Sequence, residues 1–232
     1  MHDELRARVL AGNLAIVDAG LVTLTFGNAS GADRAAGVMA IKPSGVSYRE
    51  LDADAIVLID LETGEVLAGD LRPSSDAPTH VVLYRRFADL GGIVHTHSPF
   101  ATAWAQAGRD LPCLGTTHAD HFGGSIPVTR ALTPDEIRGA YEERTGDAIV
   151  EAIEARGGEP LDLPAALVAQ HGPFAWGGDV EAAVENAVAL EAVASLAHRT
   201  LALRPGSTEI DSALRERHFT RKHGPGRYYG QP

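Results

Sequence analysis

The stretch Gly91–Phe100, GGIVHTHSPF, ends an apolar run with two histidines one residue apart and then breaks into Ser-Pro. Gly92–Thr96 reads as a short buried strand, and alternate residues of a strand project to the same side. His95 and His97 therefore face one way, roughly 6 to 7 Å apart at their bases from a rise of ~3.3 Å per residue, so both rings can lean toward one point. Two such imidazoles can hold a metal ion, although an isolated pair is more often two strand-end histidines satisfied by backbone carbonyls. A third, His171, ends another apolar run, AALVAQHG, and Gly172 behind it lets the backbone turn away. Three imidazoles from two strand ends form the ligand set of an open, catalytic type of site, with the remaining position left for oxygen ligands. Zinc is the first expectation, with manganese or cobalt also suited, since imidazole accommodates several first-row ions.

Two further segments carry short polar groups at expected helix or loop starts. IKPSGV supplies Lys42, Ser44 and Gly45, and RPSSDAPTH supplies Ser74 and Ser75, then Asp76. Hydroxyls and free backbone N–H groups at a helix N-terminus suit a phosphate, and Lys42 adds charge. Taken singly, each segment is an ordinary cap or turn, and neither is a Walker loop or a dinucleotide fingerprint. TTHADHFGG crowds Thr116, Thr117, His118, Asp120 and His121 into one loop among strand ends, where sites collect.

The elements that must position these residues follow from periodicity. Leu5, Val9, Leu10, Leu14 and Val17 have helical spacing, stopped at Gly20. LVTLTFGNAS and GVMAIKPSG read as strands, and AIVLIDLETGEVLAGD as a hairpin turning on Glu-Thr-Gly. DAPTHVVLYRRFADL is expected as helix, GIVHTH as strand, PFATAWAQAG as helix and SIPVT as strand. Thr133, with Pro134 behind it and Glu136 three residues on, caps a helical run through TPDEIRGAYEERTGDAIVEAIEARG. AALVAQHGPFAWG returns to strand, and DVEAAVENAVALEAVASLAHRTLAL reads as a long packed helix. These imply an α/β fold: one three-layer α/β/α domain over residues 1–232, with a central, mostly antiparallel sheet. Residues 205–232 form a C-terminal helix and a polar, basic, glycine-broken tail.

At 232 residues the chain suits a single domain with a sizeable core. Its 44% hydrophobic and 22% charged residues are ordinary for a soluble protein, and no apolar stretch reaches the ~20 residues of a membrane span. No secretory signal is apparent at the N-terminus. A lone cysteine, Cys113, forms no intrachain disulfide, which is consistent with the cytoplasm. The formal net charge of -11 repels nucleic acid and anionic membranes, whereas a small anionic substrate can still be captured by local groups.

Together, LVTLTFGNAS, IKPSGV, PSSDAPTH, GGIVHTHS, GTTHADHFGGSIPVTR, HGPFAWG and KHGPGRYYGQ resemble the L-ribulose-5-phosphate 4-epimerases of the class II aldolase and adducin-like superfamily. The resemblance runs from the first helix to the last few residues. It implies a class II aldolase-like fold and one divalent ion per subunit on His95, His97 and His171, with Asp76 in the metal set. It implies phosphate held near Ser44, Gly45, Ser74 and Ser75, with Asn28 and Lys42 lining the pocket. Asp120 and Tyr229 are implied as the acid/base pair, with Glu142, His218 and Thr116 in support. The substrate implied is a phosphorylated pentulose, and the assembly a fourfold homotetramer with sites at subunit interfaces, where the tail docks. Related aldolases carry a glutamate where this chain has Asp76, and the shorter residue matches the epimerases. His121 departs from the tyrosine of close relatives, beside Asp120. The implied activity is epimerisation of L-ribulose 5-phosphate at its fourth carbon by retro-aldol cleavage and re-addition; a class II sugar-phosphate aldolase is the nearest alternative. An adducin-like binding module is disfavoured by the three histidines, and a zinc hydrolase by the lack of a partner motif.

Overall fold

The computed structural model describes residues 2–223 and 226–228. In chain order the elements are α1 (Asp3–Asp18), β1 (Gly27–Asp33), β2 (Val38–Ile41), β3 (Val57–Asp60), β4 (Val66–Ala68), α2 (Ala77–Arg86), β5 (Gly92–Thr96) and α3 (Pro99–Gln106). There follow α4 (Thr116–Ala119), α5 (Pro134–Arg138), α6 (Tyr141–Glu154), β6 (Ala165–Leu167), β7 (Pro173–Gly177), α7 (Val180–Leu203) and α8 (Ser212–His223). The strands make one seven-stranded sheet of order β4-β3-β2-β1-β5-β7-β6, and each neighbouring pair is antiparallel.

Alternation along the strands divides the core between two sheet faces. Ala29, Val94 and Ala175 point toward α1, α3 and α7, where they meet Ile16, Trp104, Leu190 and Val193. Ile93, Phe174 and Trp176 point the other way, onto Val81, Leu83 and Tyr84 of α2 and Ile149 and Ile153 of α6. The expected α/β/α sandwich is therefore present as a single domain. Among the described residues no helix is long and apolar enough to cross a membrane.

Local chemistry explains most of the elements. In the β3–β4 hairpin, the Asp60 carboxylate accepts from the backbone N–H groups of Glu62 and Thr63, and Gly64 takes a φ of 80°. Thr133 and Glu136 form a reciprocal capping box. The helix expected from that cap onward is two helices, because the backbone leaves helical geometry at Gly139 (φ -95°, ψ -124°) and restarts at Tyr141.

Three expected strands differ from the structure. SIPVT contributes only two single-residue bridges, Leu111 to Ile126 and Val128 to Leu167, with Pro127 between them lacking the N–H that a continuous ladder needs. LVTLTF curls into a turn closed by the Phe26 N–H on the Thr23 carbonyl, with Leu24 at φ 55°, so the strand starts only at Gly27. AALVAQHGPFAWG is a hairpin of β6 and β7, and His171 lies in its turn, not at a strand end. The residue with positive φ there is Gln170 (61°), while Gly172 serves close approach: a Cβ on it would meet the Thr96 carbonyl oxygen at 2.8 Å.

Candidate metal centre

Register places the first ligand. Asn28 of β1 and Phe174 of β7 lie directly opposite His95 on its two sides, so all three project from the sheet face covered by α2 and α6. His95 is buried and its ring stacks on Phe174 at 4.2 Å between centroids. Its Nδ1 lies 2.9 Å from the Pro173 carbonyl oxygen. A carbonyl only accepts, so Nδ1 carries the proton and Nε2 keeps the lone pair that a metal needs. His97 follows the last residue of β5 in the two-residue connector to α3, and His171 approaches from the β6–β7 turn.

These three imidazoles converge. Each offers one ligand nitrogen, and the three nitrogens lie within 4.8 Å of one another. Burial, reinforced by His95 and then His97, pushes His171 down to about 4, and burial with His95 lowers His97. Both shifts favour the neutral ring, the form that binds a metal. The donor set, its protonation and the fixed tautomer of His95 fit a divalent ion, whose ligands would be His95, His97 and His171. Asp76 does not belong to this close group. Its carboxylate accepts from the Asn28 amide at 2.7 Å and faces the Ser74 hydroxyl at 3.4 Å. Burial would raise the Asp76 carboxyl, but His95, His80 and the Asn28 amide outweigh it and hold it below the usual carboxylate range.

A cavity of about 410 Å³ joins the imidazoles to the polar segments singled out from the sequence. Asn28, Lys42, Ser44, Gly45, Ser74, Ser75, Asp76 and Glu142 all border it with the three histidines. Gly45 turns the loop with a φ of 69°, and Ser74 and Ser75 precede α2. Lys42 is the unusual member. It is 2% exposed, among the described residues its ammonium reaches only the Pro43 carbonyl at 3.2 Å and the face of the Tyr48 ring at 4.7 Å, and burial lowers its pKa. A buried ammonium with no carboxylate beside it is costly, and an anion entering the cavity would offset that cost. The buried Asn28 carbonyl oxygen also has no hydrogen-bond partner among the described residues.

Two cavity residues have no local sequence signal: Tyr141, whose hydroxyl lies 3.4 Å from His171 Nδ1, and Phe26, whose ring centre lies 6.1 Å from that of His97.

Thr116, Asp120 and His218 do not line this cavity. Thr116 begins α4, Asp120 follows it, and His218 stands on α8, which packs against α4. Asp120 accepts a two-pronged hydrogen bond from Arg221, at 2.9 and 2.7 Å, and a third from His218 Nδ1 at 3.1 Å. Burial would raise its carboxyl, but Arg221 and His218 prevail and lower it. Arg221 was not anticipated from the sequence. His121 lies in the same group, 3.4 Å from the Lys222 ammonium. Tyr229, and the docking expected of the tail that carries it, lie outside the described residues.

Residues 7–198 match the Class II Aldolase and Adducin N-terminal domain. The chain belongs to the class II aldolase and adducin family. Class II aldolases use a divalent metal, in keeping with the three-imidazole group. The family's solved structures share the fold. L-fuculose 1-phosphate aldolase superposes with a TM-score of 0.78 at 23% identity, over 94% of this chain and 95% of that one. YgbL of Klebsiella pneumoniae, provisionally described as an aldolase/epimerase/decarboxylase, gives 0.72 at 25% identity over 94% and 99%. L-fuculose-1-phosphate aldolase of Thermus thermophilus gives 0.67 at 23% over 89% and 98%.

Proposed function

We propose that this class II aldolase-family protein is a metal-dependent L-ribulose-5-phosphate 4-epimerase, producing D-xylulose 5-phosphate. The observation that carries a sugar-phosphate substrate is one cavity in which three converging imidazoles and a buried ammonium, with no counter-charge among the described residues, occur together. Asp76 and the segment His118–Phe122, which resemble the epimerases, favour epimerisation over aldol cleavage with release.

The fourth carbon of the substrate is not adjacent to the carbonyl, so its hydrogen is not acidic and simple deprotonation cannot invert it. Cleavage of the bond between the third and fourth carbons can. A base takes the proton of the C4 hydroxyl, the C3–C4 electron pair stays with the dihydroxyacetone fragment as an enediolate, and glycolaldehyde phosphate is formed. The aldehyde rotates, the C3–C4 bond re-forms on its other face, and an acid protonates the new alkoxide. A divalent ion bound by His95, His97 and His171 supplies Lewis acidity to this chemistry. Lys42, Ser44, Ser74 and Ser75 hold the phosphate, so the aldehyde fragment stays bound while it turns.

Asp120 and Tyr229 are the proposed acid/base pair. Because Asp120, Thr116 and His218 stand apart from the residues lining their own chain's cavity, we assign them to the cavity of a neighbouring subunit in a fourfold homotetramer. The zinc-loaded protein incubated with L-ribulose 5-phosphate is expected to yield D-xylulose 5-phosphate; free glycolaldehyde phosphate as the main product would make it an aldolase instead. Unphosphorylated L-ribulose is expected to react at least about a hundredfold less efficiently, since the anion that offsets Lys42 is missing. Equal kcat/KM for the two sugars would remove the phosphate from the proposal.

Asp76 is also informative. A glutamate there would be one methylene longer in a cavity where the Asn28 amide and Ser74 hydroxyl already engage the carboxylate. Asp76→Glu is expected to lower epimerisation and to release more glycolaldehyde phosphate per turnover. An unchanged rate and product ratio would reduce Asp76 to the residue at the cap position ahead of α2.

A further inference from the structure

The second ligand of the proposed metal centre has little to hold it. His95 is fixed by strand pairing on both sides and by the Pro173 carbonyl, whereas His97 occupies the short connector between the end of β5 and the start of α3. Its position therefore depends on how the first turn of α3 is anchored. The first four N–H positions of a helix have no partner within it. In α3, Pro99 has no N–H, and the Thr102 N–H bonds to the Ser98 carbonyl at 3.0 Å. Ser98 stands at the cap position but its hydroxyl makes no capping bond. The two remaining donors, Phe100 and Ala101, are both taken by one carboxylate from another helix: Glu191 of α7, with Oε1 on the Phe100 N–H and Oε2 on the Ala101 N–H, each at 2.9 Å.

We propose that Glu191 is a positioning residue of the metal centre, holding His97 in place from α7 through the first turn of α3; this rests on His97 being a metal ligand. Glu191 does not border the cavity, so its effect passes through the backbone. A carboxylate at this helix end is doubly suited, as an acceptor for two donors and as a negative charge at the positive end of the helix dipole. A second link, the Trp104 indole N–H on the Ala194 carbonyl at 3.1 Å, fastens the body of α3 to α7. Loss of Glu191 therefore frees the first turn, and His97 with it, while α3 stays docked.

The test compares zinc affinity, by chelator competition, with the melting temperature of the metal-free protein. Glu191→Ala is expected to weaken zinc binding about ten- to a hundredfold, the range found when a residue that orients a ligand is lost. Glu191→Gln keeps the shape and one acceptor and is expected to lose about threefold or less. Asp179→Ala removes a comparable cap, the Asp179 carboxylate on the Ala182 N–H at the start of α7; it should lower the melting temperature but leave zinc affinity within about twofold of wild type. Zinc affinity in Glu191→Ala equal to wild type overturns the proposal, and so does an equal weakening in Asp179→Ala, which would mark general loosening. If Glu191→Ala does not fold, Glu191→Asp, too short to reach both amides, must bind zinc more weakly than Glu191→Gln, and equal affinities overturn the proposal. A wild-type protein that binds no zinc overturns the metal centre itself and this inference with it, whereas wild-type binding with unaffected Glu191 variants overturns only the inference.

Discussion

His97→Ala is expected to strip the metal and lower turnover about a thousandfold or more, with the fold intact. Lewis acidity in such a reaction contributes several kcal/mol, and about 4 kcal/mol corresponds to a factor of a thousand in rate. Two remaining imidazoles, one in a sheet and one in a turn, make a poor site for an ion that takes three protein ligands in open catalytic centres. The fold should survive because His97 lies beyond the last paired residue of β5 and its side chain belongs to none of the hydrophobic clusters. Compared with the metal-free wild-type protein, loss of stability should stay within about 0.5 kcal/mol, as for substitutions outside the core. His95→Ala is a useful contrast, since that ring is buried against Phe174, and its removal should also cost packing. Metal analysis and thermal melting of the two variants separate the effects. Full metal occupancy in His97→Ala would falsify the ligand assignment.

The second large effect is a recovery. His97→Ala and Asp120→Asn should each be nearly inactive alone, yet regain activity when mixed under conditions where subunits exchange. If every cavity takes its imidazoles from one chain and Asp120 from the next, random equal mixing leaves about a quarter of the cavities fully wild type. Activity should climb toward that fraction. The same experiment with Tyr229→Phe in place of Asp120→Asn asks whether the tail residue, too, comes from a chain other than the one that supplies the imidazoles. Were Asp120 to act within its own chain, no mixed cavity would contain both groups. Activity that stays at the level of the unmixed variants, despite demonstrated exchange, rejects the shared site.

How much of this was legible in the residues depended on whether a signal was local. The convergence of His95 and His97, the Glu-Thr-Gly turn with Gly64 at its left-handed position, and the Thr133–Glu136 box depend on residues within a few positions, and each appears in the structure as expected. The turn at His171 is expected from Gly172, but its left-handed residue is Gln170, which carries no turn signature, and Gly172 serves close approach instead. SIPVT has strand composition, but Pro127 interrupts its ladder. Arg221 on Asp120 and Glu191 on α3 act across 101 and about 90 positions respectively. Nothing near either partner announces the contact, so only the folded chain brings them to notice.

The strand order β4-β3-β2-β1-β5-β7-β6 carries a consequence for the order of events in folding. Strands β1 to β4 pair with sequence neighbours, as do β6 and β7, and such local pairs close short loops at low entropic cost. The seam between β1 and β5 instead joins Asn28 to His95, and that between β5 and β7 joins His95 to Phe174. Both are long-range closures, the slow kind. The three imidazoles and the Asn28 wall of the cavity meet only once these seams have formed, so metal capture should be a late event, rewarding the completed sheet and no partial one. In kinetic terms the ion would act on the unfolding side: added zinc should slow the loss of native protein far more than it speeds its formation.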